Sequence, residues 1–133
     1  MDLAEVIAIV ESLGLPEGDY ALHGSAPLLA HGLVDEISDL DIVSRGAAWE
    51  YAKTLAPLEH GQKDDVVRPS AGVEIFDGWL GDDANSLIDE AARIEGIPFV
   101  SLEAVLRFKR RLGRPKDEIH IRLIEEFLAR RAR

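Results

Sequence analysis

The six residues Ser38-Asp39-Leu40-Asp41-Ile42-Val43 alternate polar and apolar. A period of two predicts a strand with Leu40 and Ile42 turned into a core and the other positions turned away from it. Residues i and i+2 of a strand point the same way with Cα atoms ~6–7 Å apart, so Asp39 and Asp41 share a face. Any fold open to this chain must therefore present two neighbouring carboxylates from a core-anchored strand. Val73-Glu74-Ile75-Phe76 alternates in the same way and brings up a third acid, Glu74. Asp77 is the alternative for that place, although its period sets it off the face of Glu74. Three unpaired carboxylates gathered together repel one another, and a hard divalent cation such as Mg²⁺ relieves the repulsion. A lone D-x-D on a solvent-facing strand is equally an ordinary surface pattern, so the weight falls on what accompanies it.

What accompanies it is Leu22-His23-Gly24-Ser25, where a short strand (Tyr20 to His23) ends in a Gly-Ser corner that opens a helix over Ala26 to His31. Glycine lets a phosphate approach the backbone, while a serine hydroxyl and the first N–H groups of a helix can donate to it. The same corner can be simply a turn with an N-cap.

Around these segments the pattern predicts helices over 3–13, 47–55 and 85–90 and strands at 66–67, 73–76 and 91–94. Two helices close the chain, Leu102 to Leu112 and Lys116 to Arg131. Asp2 and Glu5 form a capping box for the first helix, and Ser101 is a good N-cap for the penultimate one. In the last helix, Ile119, Leu123 and Phe127 share one helical spacing, with Ile124 and Leu128 beside them. The fold class expected is α/β (α+β): a mixed central sheet flanked by helices, with two C-terminal helices packed on it. The chain reads as a single domain, residues 1–133.

Charge divides that domain. Residues 1–100 carry 20 acidic and 5 basic side chains, whereas residues 101–133 carry 5 acidic and 10 basic ones, for a net charge of −10 overall. So acidic a chain is not a general polyanion binder. Its basic end is either the solvated face of amphipathic helices or a field offered to an anion. The absence of cysteine excludes disulfides, thiolate zinc sites, iron–sulfur clusters and cysteine nucleophiles. His23, His31, His60 and His120 lack zinc-site spacing. Trp49 and Trp79 read as packing residues, as do Phe108 and Phe127. The most apolar stretch, Val6 to Val10, stops at Glu11, far short of the ~20 residues of a membrane span. A soluble, cytoplasmic protein without membrane partners is expected.

The corner Leu22-His23-Gly24-Ser25, a gap of thirteen residues and Asp39-Leu40-Asp41-Ile42 together resemble the signature of the nucleotidyltransferase superfamily with the DNA polymerase β-type palm. His23 takes a place that is usually apolar there, and Glu74 one that is often Asp. Leu106-Arg107-Phe108-Lys109 and Arg114-Pro115-Lys116-Asp117 resemble motifs of AbiEii-like nucleotidyltransferases, which include toxins of toxin–antitoxin systems. Asp35, Glu36 and Ile37 stand where that subgroup has Arg and Thr. The likeness spans roughly residues 20 to 128.

The resemblance implies a nucleotidyltransferase-type sheet and transfer of an NMP from an NTP to a hydroxyl of an RNA, protein or small-molecule acceptor. It implies Asp39, Asp41 and Glu74 as catalytic and metal-binding acids, holding two Mg²⁺ ions ~3.5–4 Å apart. Glu74 would complete the metal site or take the acceptor's proton. It further implies nucleotide binding by Gly24, Ser25, Lys109, Arg114, Lys116 and Asp117, and an antitoxin or other second chain as a partner. For Asp117, capping the last helix and pairing with a nearby Arg is an equal reading. The competing functions are a catalytically silent nucleotide- or partner-binding module on the same fold, and an interaction protein with an acidic face.

Overall fold

The computed structural model describes residues 1–132. Helix α1 (Leu3–Leu13) begins at the Asp2–Glu5 capping box and ends at Gly14, whose φ of 69° is the left-handed stop that glycine tolerates. There follow β1 (Tyr20–His23), α2 (Ala26–Ala30), β2 (Leu40–Ser44), α3 (Gly46–Ala52), β3 (Leu58–His60), β4 (Asp65–Ser70) and β5 (Val73–Phe76). The chain closes with α4 (Ala84–Asp89), β6 (Ala92–Ile94), β7 (Ile97–Phe99), α5 (Leu102–Leu112) and α6 (Glu118–Arg131). Among the described residues the strands form one sheet of seven, in the order β3-β4-β5-β2-β1-β7-β6. The sheet is mixed: β2 runs parallel to β5 and antiparallel to β1, and β7 is parallel to β1. Among the described residues no helix is long and apolar enough to cross a membrane.

The period-two rule sorts the two faces. Leu22, Leu40, Ile42 and Ile75 pack with Val6 and Val10 of α1 and with Ala48 and Ala52 of α3. The alternate positions Ala21 and Val43 pack with Leu87 of α4, Val105 and Phe108 of α5 and Ile124 of α6. Asp41 and Glu74, paired across β2 and β5, have the parity of that second face. The acids of the sheet thus emerge beneath the basic C-terminal helices.

Several elements differ from the sequence-based expectation. The acid-bearing strand begins at Leu40 rather than Ser38, so Asp39 lies just ahead of it. Helix α3 stops at Ala52 instead of Leu55, because residues 53–55 continue as turns. Strands β3 and β7 were not anticipated. β3 is exposed at every position and carries no burial signal. β7 contains Pro98, a residue that argues against a strand. It meets β1 only around Phe99 and Val100, so Pro98 has no donor role to fill there. Glu95 and Gly96 join β6 to β7, both at positive φ, as a two-residue hairpin turn requires.

The last helix is also displaced. Pro115–Asp117 is a 3-10 turn and α6 starts only at Glu118. Its buried stripe is Ile124 flanked by Ile121, Phe127 and Leu128, while Ile119 stands 72% exposed.

Candidate active site

Parallel pairing of β2 with β5 sets Asp41 directly beside Glu74, and antiparallel pairing with β1 sets His23 on its other side. Asp41 is pushed up to about 6, first by burial, then by the charges of Glu74 and Asp39, with Lys109 opposing. Three acids from two segments therefore share one electrostatic environment, and its negative charge is under-compensated.

The Gly24-Ser25 corner is built against the same carboxylate. Gly24 has φ 64°, and a Cβ there would stand 2.6 Å from Asp41 Oδ2. Only glycine both adopts the turn and leaves that oxygen room. The Gly24 N–H donates to His23 Nδ1 at 2.7 Å, so it is engaged within the corner. The Ser25 hydroxyl makes no capping hydrogen bond to α2, in contrast to the N-cap reading, and its side chain lines the cavity described below.

His23 sits beside the acids as an uncharged aromatic. It is fully buried, stacked on Trp79 at 4.1 Å between centroids, with Phe108 edge-on at 5.4 Å. Burial, and then the nearby Lys109 charge, push its pKa down to about 3. With Nδ1 accepting from Gly24, the ring proton belongs on Nε2, which has no hydrogen-bond partner among the described residues.

Opposite the acids lies a basic group tied to one carboxylate. Lys109 is 4% exposed and Asp117 is 3% exposed, with Nζ to Oδ1 at 3.0 Å. Arg114 Nε meets the other oxygen of Asp117 at 2.7 Å. Burial alone would raise the Asp117 carboxyl; hydrogen bonds from Arg114 and Lys109 and their charges overcome it, leaving its pKa below the usual value. Asp117 stands at the N-cap of α6 but makes no side-chain capping bond, so it acts as a strut between α5 and the turn before α6.

A cavity of about 530 Å³ joins the two poles. Gly24, Ser25, Asp39, Asp41, Glu74, Lys109, Arg114, Lys116 and Asp117 all line it. Asp77 lies outside that lining and accepts a hydrogen bond from the backbone N–H of Asp65 instead. Sequence reasoning did not bring Ser38, Trp79, Leu80, Phe108 and His120 to this cavity, although all line it. His120 could have been found, since it follows Asp117 by three residues and Lys116 by four, on one helical face. Leu80 had no such signal: it sits at φ 46° in a tight turn closed by Trp79 and Asp82.

The donor set suits a hard cation, because Asp39, Asp41 and Glu74 offer carboxylate oxygens and Asp41 lacks sufficient counter-charge. Among the described residues no three acids or histidines already stand gathered as a metal cage. Glu74 is also engaged away from the other two acids, its Oε2 held by Arg68 Nη2 at 2.9 Å and Nε at 3.1 Å.

No protein-family model matches the chain, and no curated protein sequence matches it. Among solved structures, it is similar to a putative nucleotidyltransferase from Thermotoga maritima, with a TM-score of 0.61 and 19% identity over 98% of this chain and 96% of that one. At that identity the likeness establishes the fold: the mixed sheet and its flanking helices form a nucleotidyltransferase-type α/β architecture.

Proposed function

We propose that this protein is a divalent-cation-dependent nucleotidyltransferase that moves an NMP from an NTP to an acceptor hydroxyl. The observation that carries the reading is the single cavity onto which Asp39, Asp41, Glu74, the Gly24-Ser25 corner and Lys109 all open. The likeness of the fold to that of the Thermotoga nucleotidyltransferase supports the same assignment.

Asp39 and Asp41, with Glu74, would hold Mg²⁺, in a two-ion arrangement where both sites fill. The bound ions would supply charge neutralisation at the attacking and leaving oxygens. The chain's own residues do the rest by positioning and electrostatics. The Ser25 hydroxyl holds the terminal phosphates, and Gly24 keeps side-chain bulk out of their path. Lys109 and Lys116 offset the triphosphate charge, and Asp117 with Arg114 fixes Lys109 in place. The acceptor oxygen bonds to the α-phosphorus as the bond from that phosphorus to the β-bridging oxygen breaks. Pyrophosphate leaves, and the hydroxyl proton passes to Glu74 where that carboxylate does not itself hold the cation, and otherwise to solvent. Trp79, Leu80 and Phe108 give the cavity an apolar wall suited to a base.

The acceptor classes under this reading are RNA, protein and small-molecule hydroxyls; a toxin-type role with an antitoxin partner and a cytoplasmic location belong to the same proposal. The test is incubation with each of the four α-³²P-labelled NTPs, Mg²⁺ or Mn²⁺, total RNA and cell extract. Labelled product that disappears in Asp41→Asn is expected. Its absence with all four nucleotides would overturn the enzyme reading. One observation favours a second reading, a catalytically silent nucleotide-binding module: the third acid is already occupied by Arg68. That reading expects nucleotide-dependent thermal stabilisation without transfer.

A further inference from the structure

Arg68 has no part in the chemistry above, yet its guanidinium spans two carboxylates. Nε and Nη2 face Glu74 Oε2 at 3.1 and 2.9 Å, and Nη1 faces Glu59 Oε1 at 2.6 Å. The aim is built into the backbone. Strands β4 and β5 pair Val67 with Ile75 and then Ser70 with Val73, so Arg68 and Pro69 together oppose the single residue Glu74. Such a bulge re-aims a side chain, and Pro69 is a residue that bulges accommodate. A second cavity of about 460 Å³, lined by Arg68, Ser70 and Gly72, also reaches Asp39 and Glu74. Arg68 is half-exposed and borders that cavity.

We propose that Arg68 is a gate on the third carboxylate: it holds Glu74 in the resting protein and shifts its hold to Glu59 when Glu74 turns to a divalent cation beside Asp39 and Asp41. This rests on the reading of those three acids as cation ligands. The cation and the guanidinium compete for one carboxylate, so Arg68 lowers cation affinity, and Glu59 moderates that effect by offering Arg68 another anion. Arg68 is a positioning residue that acts through Glu74.

The test is Mn²⁺ binding to the full chain without nucleotide, followed by electron paramagnetic resonance or calorimetry. Arg68→Gln is expected to tighten Mn²⁺ about fivefold, the scale of a well-aligned exposed ion pair. Glu59→Gln is expected to weaken it about twofold by the same scale. In a Glu74→Gln background the Arg68→Gln effect vanishes, because the competition has lost its object. A fastening role for Arg68 in the sheet would instead move Arg68→Gln and Glu59→Gln in one direction, and a bulk charge effect would survive Glu74→Gln; either result overturns the gate. Should Arg68→Gln fail to fold by circular dichroism, Arg68→Lys, which cannot span both carboxylates, carries the same expectation at smaller size. Mn²⁺ binding abolished by Asp41→Asn but indifferent to Arg68 leaves the cation site standing and sinks the gate. Binding indifferent to Asp41→Asn, or undetectable in both the native chain and Arg68→Gln, removes both.

Discussion

Asp41 and Asp117 are two withdrawn carboxylates on one cavity, both within the field of Lys109, and their charges fare oppositely. Asp117 receives Lys109 and Arg114 on its two oxygens and is held below its ordinary pKa. Asp41 faces Glu74 and Asp39 and is pushed up to about 6. Withdrawal from water costs both of them; what separates them is whether the fold supplies a cation. At Asp117 it supplies two and obtains a strut. At Asp41 the counter-charge falls short, an imbalance that a bound cation would relieve.

The largest effect that would break this contrast concerns Asp41. Asp41→Asn should cut nucleotidyl transfer by about 10³-fold or more, as removal of a central transition-state group does. The same substitution should raise the stability of the ligand-free protein at pH 7.5 by up to about 2 kcal/mol, since it deletes an under-compensated charge. Urea unfolding beside the transfer assay measures both, and a stability loss in Asp41→Asn would contradict the account of its charge.

Asp117→Ala should behave in the opposite way. It strands the Lys109 ammonium in a buried position and should cost about 3–5 kcal/mol in urea unfolding. A cost below about 1 kcal/mol would mean that Lys109 reaches water more easily than its burial implies.

Gly24→Ala should cost about 1–3 kcal/mol, because its φ is strained for any side chain. Transfer should fall with it, since the new methyl strikes Asp41 Oδ2. An unchanged melting temperature would show that the corner is looser than described.

The smallest and most discriminating effect is a slope. His23 has its folded pKa lowered to about 3 from 6.5, so the stability of its neutral form is present above pH 6.5 and is lost as pH falls toward 3. Asp41 has its folded pKa raised, so its contribution is full below pH 3.8 and is lost as pH rises through about 6. Between roughly pH 6 and 4 the two slopes oppose each other, each at most about 1.4 kcal/mol per pH unit. Relative to the native protein, Asp41→Asn should lose stability more steeply on acidification and His23→Phe less steeply. Parallel curves for all three would refute both pKa assignments.

Much of this site was legible along the chain, and the misses share a cause. Asp39, Asp41 and Glu74 announce themselves through alternation with Leu40, Ile42, Val73 and Ile75, and Gly24 through its place at a strand end. Strand β7 was hidden by Pro98, whose meaning depends on how little of β7 meets β1. Strand β3 was hidden because Leu58, Glu59 and His60 are all exposed, and a strand paired along one edge without burial leaves no periodic trace. Ile119 was misassigned because spacing defines a stripe without saying which stripe turns inward. Trp79 and Leu80 reach the cavity from a turn that no period describes.

The local pattern alone determined which acids share a strand face, where the glycine corner falls and where α1 and α5 begin, because strand period, capping and glycine's freedom act over a few residues. Only the tertiary structure decided that Asp41 would stand beside Glu74 in parallel register, that Lys109 would answer Asp117 rather than remain open, and that Arg68 would seize the third acid. Those outcomes depend on which segments become neighbours in space. Charges interact through that distance and through the surrounding solvent, and their separation along the chain carries neither.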